Sequence, residues 1–90
     1  MEVEWDPAKA RANLAKHGVS FADAALALED ELALTIGEEA RGGEQRFVSM
    51  GADPLGRLLV VVFTSRGDRL RIITARKATR QERLRYEQKP

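Results

Sequence analysis

Leu58-Leu-Val-Val-Val-Phe-Thr64, then Ser65-Arg-Gly-Asp68, then Arg69-Leu-Arg-Ile-Ile-Thr-Ala-Arg76 is the stretch that decides the fold. The first run is apolar and β-branched without alternation, which predicts a central strand covered on both faces. The glycine-bearing tetrad predicts a hairpin turn, so Arg69 to Arg76 returns as its antiparallel partner. Upstream, Arg46 to Met50 reads as another strand, joined to the central one by the turn residues Gly51-Ala-Asp-Pro-Leu-Gly56. Leu32, Leu34 and Ile36 alternate with Ala33 and Thr35, which predicts a half-buried strand ending at Gly37. The polar stretch from Gly37 to Glu44 reads as a mobile loop. Val3 and Trp5 suit a short edge strand. Short connections make this a small antiparallel sheet of about four strands.

Helices flank the sheet. Asp6-Pro7 pairs an N-cap with proline at the first helical position, and Gly18 suits the helix end. Ser20 with Asp23 approximates a capping box before Phe21, Ala24, Ala25 and Leu28, which form one apolar face. Thr79 with Glu82 is a full capping box that opens a third helix. Leu84 is the only aliphatic side chain of that helix, which reads as an arm or a partner-facing element. Residues 1–90 therefore form one α+β domain.

Composition narrows the chemistry. The chain has 90 residues, no cysteine and one histidine, which excludes a disulfide scaffold and a multi-histidine or cysteine-ligated metal centre. No apolar run approaches the roughly 20 residues of a membrane span. The opening residues lack a secretory signal, so a cytoplasmic location is expected. No phosphate-cradling glycine loop or metalloprotease motif occurs. A net charge of +1 hides an asymmetry. Residues 1–45 carry four Lys or Arg against ten Asp or Glu, and residues 46–90 carry eleven against four. This order implies an acidic and a basic surface region, the latter suited to phosphate or to an acidic protein.

What remains for catalysis is arginine, lysine, one histidine, carboxylates and one tyrosine. That set suits attack of a ribose 2′-hydroxyl on the adjacent phosphate, with no metal or cofactor. Arginine binds phosphate through its planar fork, and Arg76 with Arg80 forms the expected clamp. Strand parity would set Arg69, Arg71 and Lys77 on one face with Ile73 and Ala75, and Thr74 and Arg76 on the other with Leu70 and Ile72. Histidine titrates near neutrality, so His17 is a candidate acid or base as well as a helix-end cap. Arg46 either reaches substrate or pairs with Glu44. Tyr86 either stacks on a base or packs the arm. Glu29, Asp30 and Glu31 either hold a cation or form a solvated helix end.

Glu4-Trp-Asp-Pro-Ala-Lys9, Asn13-Leu14, Lys16-His-Gly-Val-Ser-Phe21, Arg46-Phe47, Ile72-Ile-Thr-Ala-Arg-Lys-Ala78, Glu82-Arg83 and Tyr86-Glu87 together resemble the BrnT toxins over nearly the whole chain. The resemblance implies a RelE-like fold and an endoribonuclease that inhibits translation. It also implies inhibition by a BrnA-type ribbon-helix-helix antitoxin, with operator DNA bound only through that antitoxin. His17, Arg46, Arg76 and Lys77 fall in the family's segments. The expected roles are acid or base for His17, phosphate contact for Arg46 and Arg76, and RNA binding for Lys77, Arg80, Arg69, Arg71 and Tyr86. Glu31 departs from relatives that carry proline there. The rival readings are a non-catalytic basic binding module and an inactive toxin homologue that keeps only its antitoxin contact.

Overall fold

The computed structural model describes residues 2–88. Its elements are β1 (Glu2–Glu4), α1 (Pro7–His17), α2 (Phe21–Ala27), β2 (Leu34–Arg41), β3 (Glu44–Ala52), β4 (Leu58–Arg66), β5 (Arg69–Lys77) and α3 (Arg80–Glu87). The expected caps are present. Asp6 and Ser20 accept from the backbone N–H groups of Lys9 and Asp23, and Thr79 and Glu82 form a reciprocal capping box.

The strands form one sheet in the order β1-β5-β4-β3-β2. Neighbours from β2 to β5 are antiparallel, and β1 lies parallel to the start of β5. The sheet is thus mixed and five-stranded, where the sequence suggested about four antiparallel strands. The parallel pair arises because the chain crosses from β1 through both helices and the rest of the sheet before β5 returns beside it.

Two expectations are corrected. Gly37 to Glu44 is not a mobile loop. It is the far end of β2 and a tight hairpin turn at Gly42-Gly43, whose φ of 55° and 80° an L side chain resists. Strand parity in β5 also fails. Val62 pairs with Thr74 but Phe63 pairs with Ile72, so Ile73 is the extra residue of a β-bulge. The bulge resets the alternation. Leu70, Ile72, Ala75 and Lys77 fall on one side of β5, with Arg69, Arg71, Thr74 and Arg76 on the other.

The main core lies between the first of these faces and α1 and α2. Leu59, Val61, Ile72 and Ala75 pack there against Val19, Phe21, Ala24 and Ala27, all essentially buried. Trp5 meets Phe21 edge to face at 6.1 Å between centroids. At Gly51 the α2 end comes so close that a Cβ would collide with the Ala27 carbonyl oxygen. Asn13, buried in α1, acts as a surrogate strand. Its side-chain amide donates to Ala75 O at 2.8 Å and to Val19 O at 3.1 Å, and its Oδ1 accepts from Ala75 N at 3.1 Å. Asn13 thereby satisfies the outer edge of β5 beyond the end of the short β1.

Buried Asp53 ties the β3–β4 turn to the helices. Burial works to raise its carboxyl pKa, and the hydrogen bonds and charge of Arg57 outweigh this and lower it. Arg57 continues to Asp23 at 2.9 Å and to Gly18 O at 3.2 Å.

Candidate functional site

The sheet face away from α1 and α2 has two halves. At one end Met50, Leu58 and Val60 form a second apolar cluster with Leu34, Ile36, Val48, Ala78 and Tyr86. At the hairpin end the register lays charged residues across all five strands. One row runs Glu39, Arg46, Thr64, Arg71, Glu4 from β2 to β1. The next runs Arg41, Glu44, Arg66, Arg69, Glu2. Five arginines and four glutamates are interspersed around one threonine.

Each arginine of the rows has a carboxylate within reach. Arg71 and Arg69 bind Glu4 at 2.9 and 3.3 Å, and the Arg71 hydrogen bond holds the Glu4 carboxyl below its usual range. Arg66 donates to Glu44 Oε2 at 3.0 Å. Arg46 is the exception in quality. Its Nε stands 3.8 Å from Glu44 Oε1, beyond hydrogen-bond range, and is buried without any hydrogen-bond partner. Arg46 and Arg71 flank Thr64 from opposite sides, their strands separated by two interstrand spacings, about 10 Å. The Thr64 hydroxyl is turned to Gln45 O at 2.9 Å. Two long guanidinium side chains can close over such a gap onto one phosphate.

The other sequence-predicted residues are distributed more widely. Arg76 shares this face but pairs with Val60, four β4 residues from Thr64, so it sits about 13 Å along the strands from the Arg46 row. It does not clamp with Arg80. Both its terminal nitrogens bind Glu82, at 2.8 and 2.9 Å, and Arg80 is exposed at the start of α3. That contact, with help from Thr79, pulls the Glu82 carboxyl down to about 2 and raises Arg76. Lys77 pairs with Leu59 and so belongs to the opposite face, where it lines a shallow depression with Arg57 and Arg83. Tyr86 is half-buried and donates its hydroxyl to Asp30 Oδ2 at 2.5 Å, which pushes the phenol up to about 12. Asp30 also accepts from the backbone of Leu32 and Ala52, so it is a structural junction at the end of α2.

His17 lies apart from the arginine rows. It is half-buried at the α1 end, lining a depression of about 270 Å³ with Lys9, Lys16 and Thr74 at the outer rim of β5. Thr74 stands on the arginine face by register, so His17 approaches that face from its edge. Among the described residues no three of His, Asp and Glu converge on a metal-binding arrangement. No helix of the described residues is long and apolar enough to cross a membrane.

Residues 5–82 match the model of the family described as ribonuclease toxin, BrnT, of type II toxin-antitoxin systems. The chain belongs to the BrnT family. The 1.1 Å crystal structure of the Brucella abortus ribonuclease toxin BrnT superposes with a TM-score of 0.70 at 29% identity, covering 89% of this chain and 99% of that one. No curated relative matches significantly. The α+β architecture with a five-stranded sheet is therefore the BrnT fold. A BrnT-family toxin acts in a system with an antitoxin and an RNA target.

In this BrnT chain, sequence reasoning gave Arg71 only a supporting place and did not select Glu44 or Glu4 as site residues. The signal for them is cross-strand pairing. Arg71 and Arg46 sit 25 residues apart in sequence and meet only through the register with Thr64.

Proposed function

We propose that this BrnT-family chain is an endoribonuclease that cuts RNA without metal and so inhibits translation. The ribose 2′-hydroxyl attacks the neighbouring phosphorus, the bond to the 5′-oxygen breaks, and 2′,3′-cyclic phosphate and 5′-hydroxyl ends result. The observation that supports this reading is the Arg46–Thr64–Arg71 row, in which two arginines flank Thr64 on the sheet face away from α1 and α2. Arg46 and Arg71 hold the scissile phosphate, and their fixed charges favour the developing phosphorane. A preorganised donor of this kind is worth about 10²–10³ in rate.

Flanking nucleotides run along the face toward Arg69 in one direction and Arg76 in the other. His17 meets the backbone from the β5 rim, Arg80 lies at the margin, and Lys77, on the opposite face, lies outside this path. This assigns His17 to RNA contact in place of the acid or base role expected from sequence, because it stands beside Thr74 and outside the arginine rows. A BrnA-type ribbon-helix-helix antitoxin neutralises the toxin by covering the arginine face, and operator DNA is bound through that antitoxin.

The test is incubation of partner-free protein with a defined single-stranded RNA in EDTA, with and without ribosomes, beside Arg46→Ala. The expected result is cyclic-phosphate fragments from the wild type and a loss of 10²-fold or more in the variant. If folded protein leaves RNA intact in both settings yet binds it, the non-catalytic binding module replaces this reading.

A further inference from the structure

The geometry points to Glu44 as the general base that removes the proton from the attacking ribose 2′-hydroxyl. This rests on the ribonuclease reading above and names the group that performs its proton transfer.

Four carboxylates of the described face are close enough to arginines to be compared. Both oxygens of Glu4 accept from arginine, Oε1 from Arg69 and Oε2 from Arg71, so it is occupied and its basicity is reduced. Glu82 is gripped by two nitrogens of Arg76 and by the Thr79 backbone, and it stands at the foot of α3. Glu39 lies on the outermost strand, and its nearest cation is Arg41 at 3.7 Å. Glu44 alone combines an oxygen fixed by a hydrogen bond with one that makes only a long ion pair. Its Oε2 is held by Arg66 at 3.0 Å, and its Oε1 has no hydrogen-bond partner.

That oxygen makes only a long ion pair with Arg46, 3.8 Å from its Nε, which is itself buried and out of reach of substrate. A ribose hydroxyl donates to Glu44 Oε1, next to a phosphate held by the terminal guanidinium nitrogens of Arg46 and Arg71. The pairing with Arg66 keeps the carboxylate from swinging away, and residue spacing i, i+2 puts Glu44 and Arg46 on the same side of β3.

The step balances as follows. The 2′-O–H proton passes to Glu44, the 2′-oxygen forms its bond to phosphorus, and the P–O5′ bond breaks. The departing 5′-oxygen takes a proton from water at this open face, and Glu44 later returns its proton to solvent. No oxidant, reductant or metal enters.

The experiment compares full-length wild type and Glu44→Gln in single-turnover cleavage of a defined RNA. Binding is measured in parallel on the same RNA with a 2′-deoxy residue at the cut site. Glutamine keeps the shape and the contact to Arg66 but cannot take the proton, and circular dichroism establishes that the variant is folded. The expected result is cleavage slowed by about 10²-fold or more, with RNA affinity within about threefold of wild type. Wild-type rates in Glu44→Gln overturn the assignment while leaving the ribonuclease reading intact. A rate loss matched by an equal affinity loss also overturns it, because Glu44 would then only position the arginines. A wild-type protein that cuts the 2′-deoxy RNA as fast as the all-ribose RNA overturns both readings.

Discussion

The two halves of one sheet face share the same strands and backbone, yet they do opposite jobs. At one end Met50, Leu58 and Val60 present an apolar surface that Ala78 and Tyr86 help to close. At the other, the same β3 and β4 carry the polar and charged Glu44, Arg46, Thr64 and Arg66. The difference is one of side chain alone. Where the face is apolar it must be covered, because exposing it costs about 25 cal/mol per Å². Where it is charged it can stay open to a polyanion. On the function proposed above, stability is concentrated in one half and binding in the other.

That separation is broken most severely by truncation. Met50→Ala is expected to cost about 2–4 kcal/mol in a chemical denaturation experiment, since Met50 is fully buried and lies in a small cluster. RNA cleavage by the fraction that stays folded should be unchanged. Arg71→Ala is the reverse experiment. It should slow cleavage by about 10²-fold while the melting temperature stays near that of the wild type. If both variants lose stability and rate together, the two halves are one cooperative unit.

A smaller effect tests how α3 is fastened. This helix has no buried residue of its own, and Tyr86 to Asp30 is the polar pin at its C-terminal end. Tyr86→Phe leaves the ring in place and removes the hydrogen bond, at an expected cost of about 1.5 kcal/mol. The phenol's folded pKa is raised from 10.0 to about 12 by the hydrogen bond to Asp30, with burial and the Asp30 charge adding to it. The contribution is thus fully present below pH 10 and is lost as pH rises through 12. Thermal melts at pH 8 and pH 11.5 should differ less for Tyr86→Phe than for wild type.

What the sequence disclosed, and what it hid, divides between local and cross-strand information. Helix starts at Asp6, Ser20 and Thr79 were legible because each cap and the backbone N–H that donates to it lie within three residues. The hairpin at Gly42-Gly43 was hidden because Glu38, Glu39, Ala40 and Arg41 are exposed and polar, so no hydrophobic alternation marks the end of β2. The extra residues Ile36 and Ile73 each invert a parity that nothing local announces. The charge asymmetry along the chain also failed to become two poles. β1 lies beside β5, so Glu4 from the acidic half meets Arg69 and Arg71 from the basic half, and Glu44 meets Arg66 in the same way. Arg46 could be chosen from sequence, but its row could not, since Thr64 and Arg71 join it only through the register.

The mildest test concerns the other end of α3, where Arg76 grips Glu82. The same carboxylate closes the capping box, so it serves the Arg76 fork and the Thr79 N–H at once. The Arg76 hydrogen bond, opposed by partial burial and aided by Thr79, depresses Glu82 from 4.5 to about 2. A depressed carboxylate stabilises the fold fully above its unfolded value and ceases to do so as pH falls through its folded value. α3 should therefore hold down to about pH 4.5 and loosen progressively toward pH 2. Glu82→Gln should cost about 1 kcal/mol at neutral pH, the scale of a partly exposed ion pair plus part of a cap. Amide exchange across residues 80–87 reads the effect locally. Wild type should lose protection between pH 4.5 and pH 2, once the intrinsic exchange rate is corrected for, whereas Glu82→Gln should show low protection at every pH. If wild-type protection is flat through that interval, Arg76 is not what fastens α3, and it becomes available to serve the arginine face 13 Å away, by the same strand spacing of about 3.3 Å per residue.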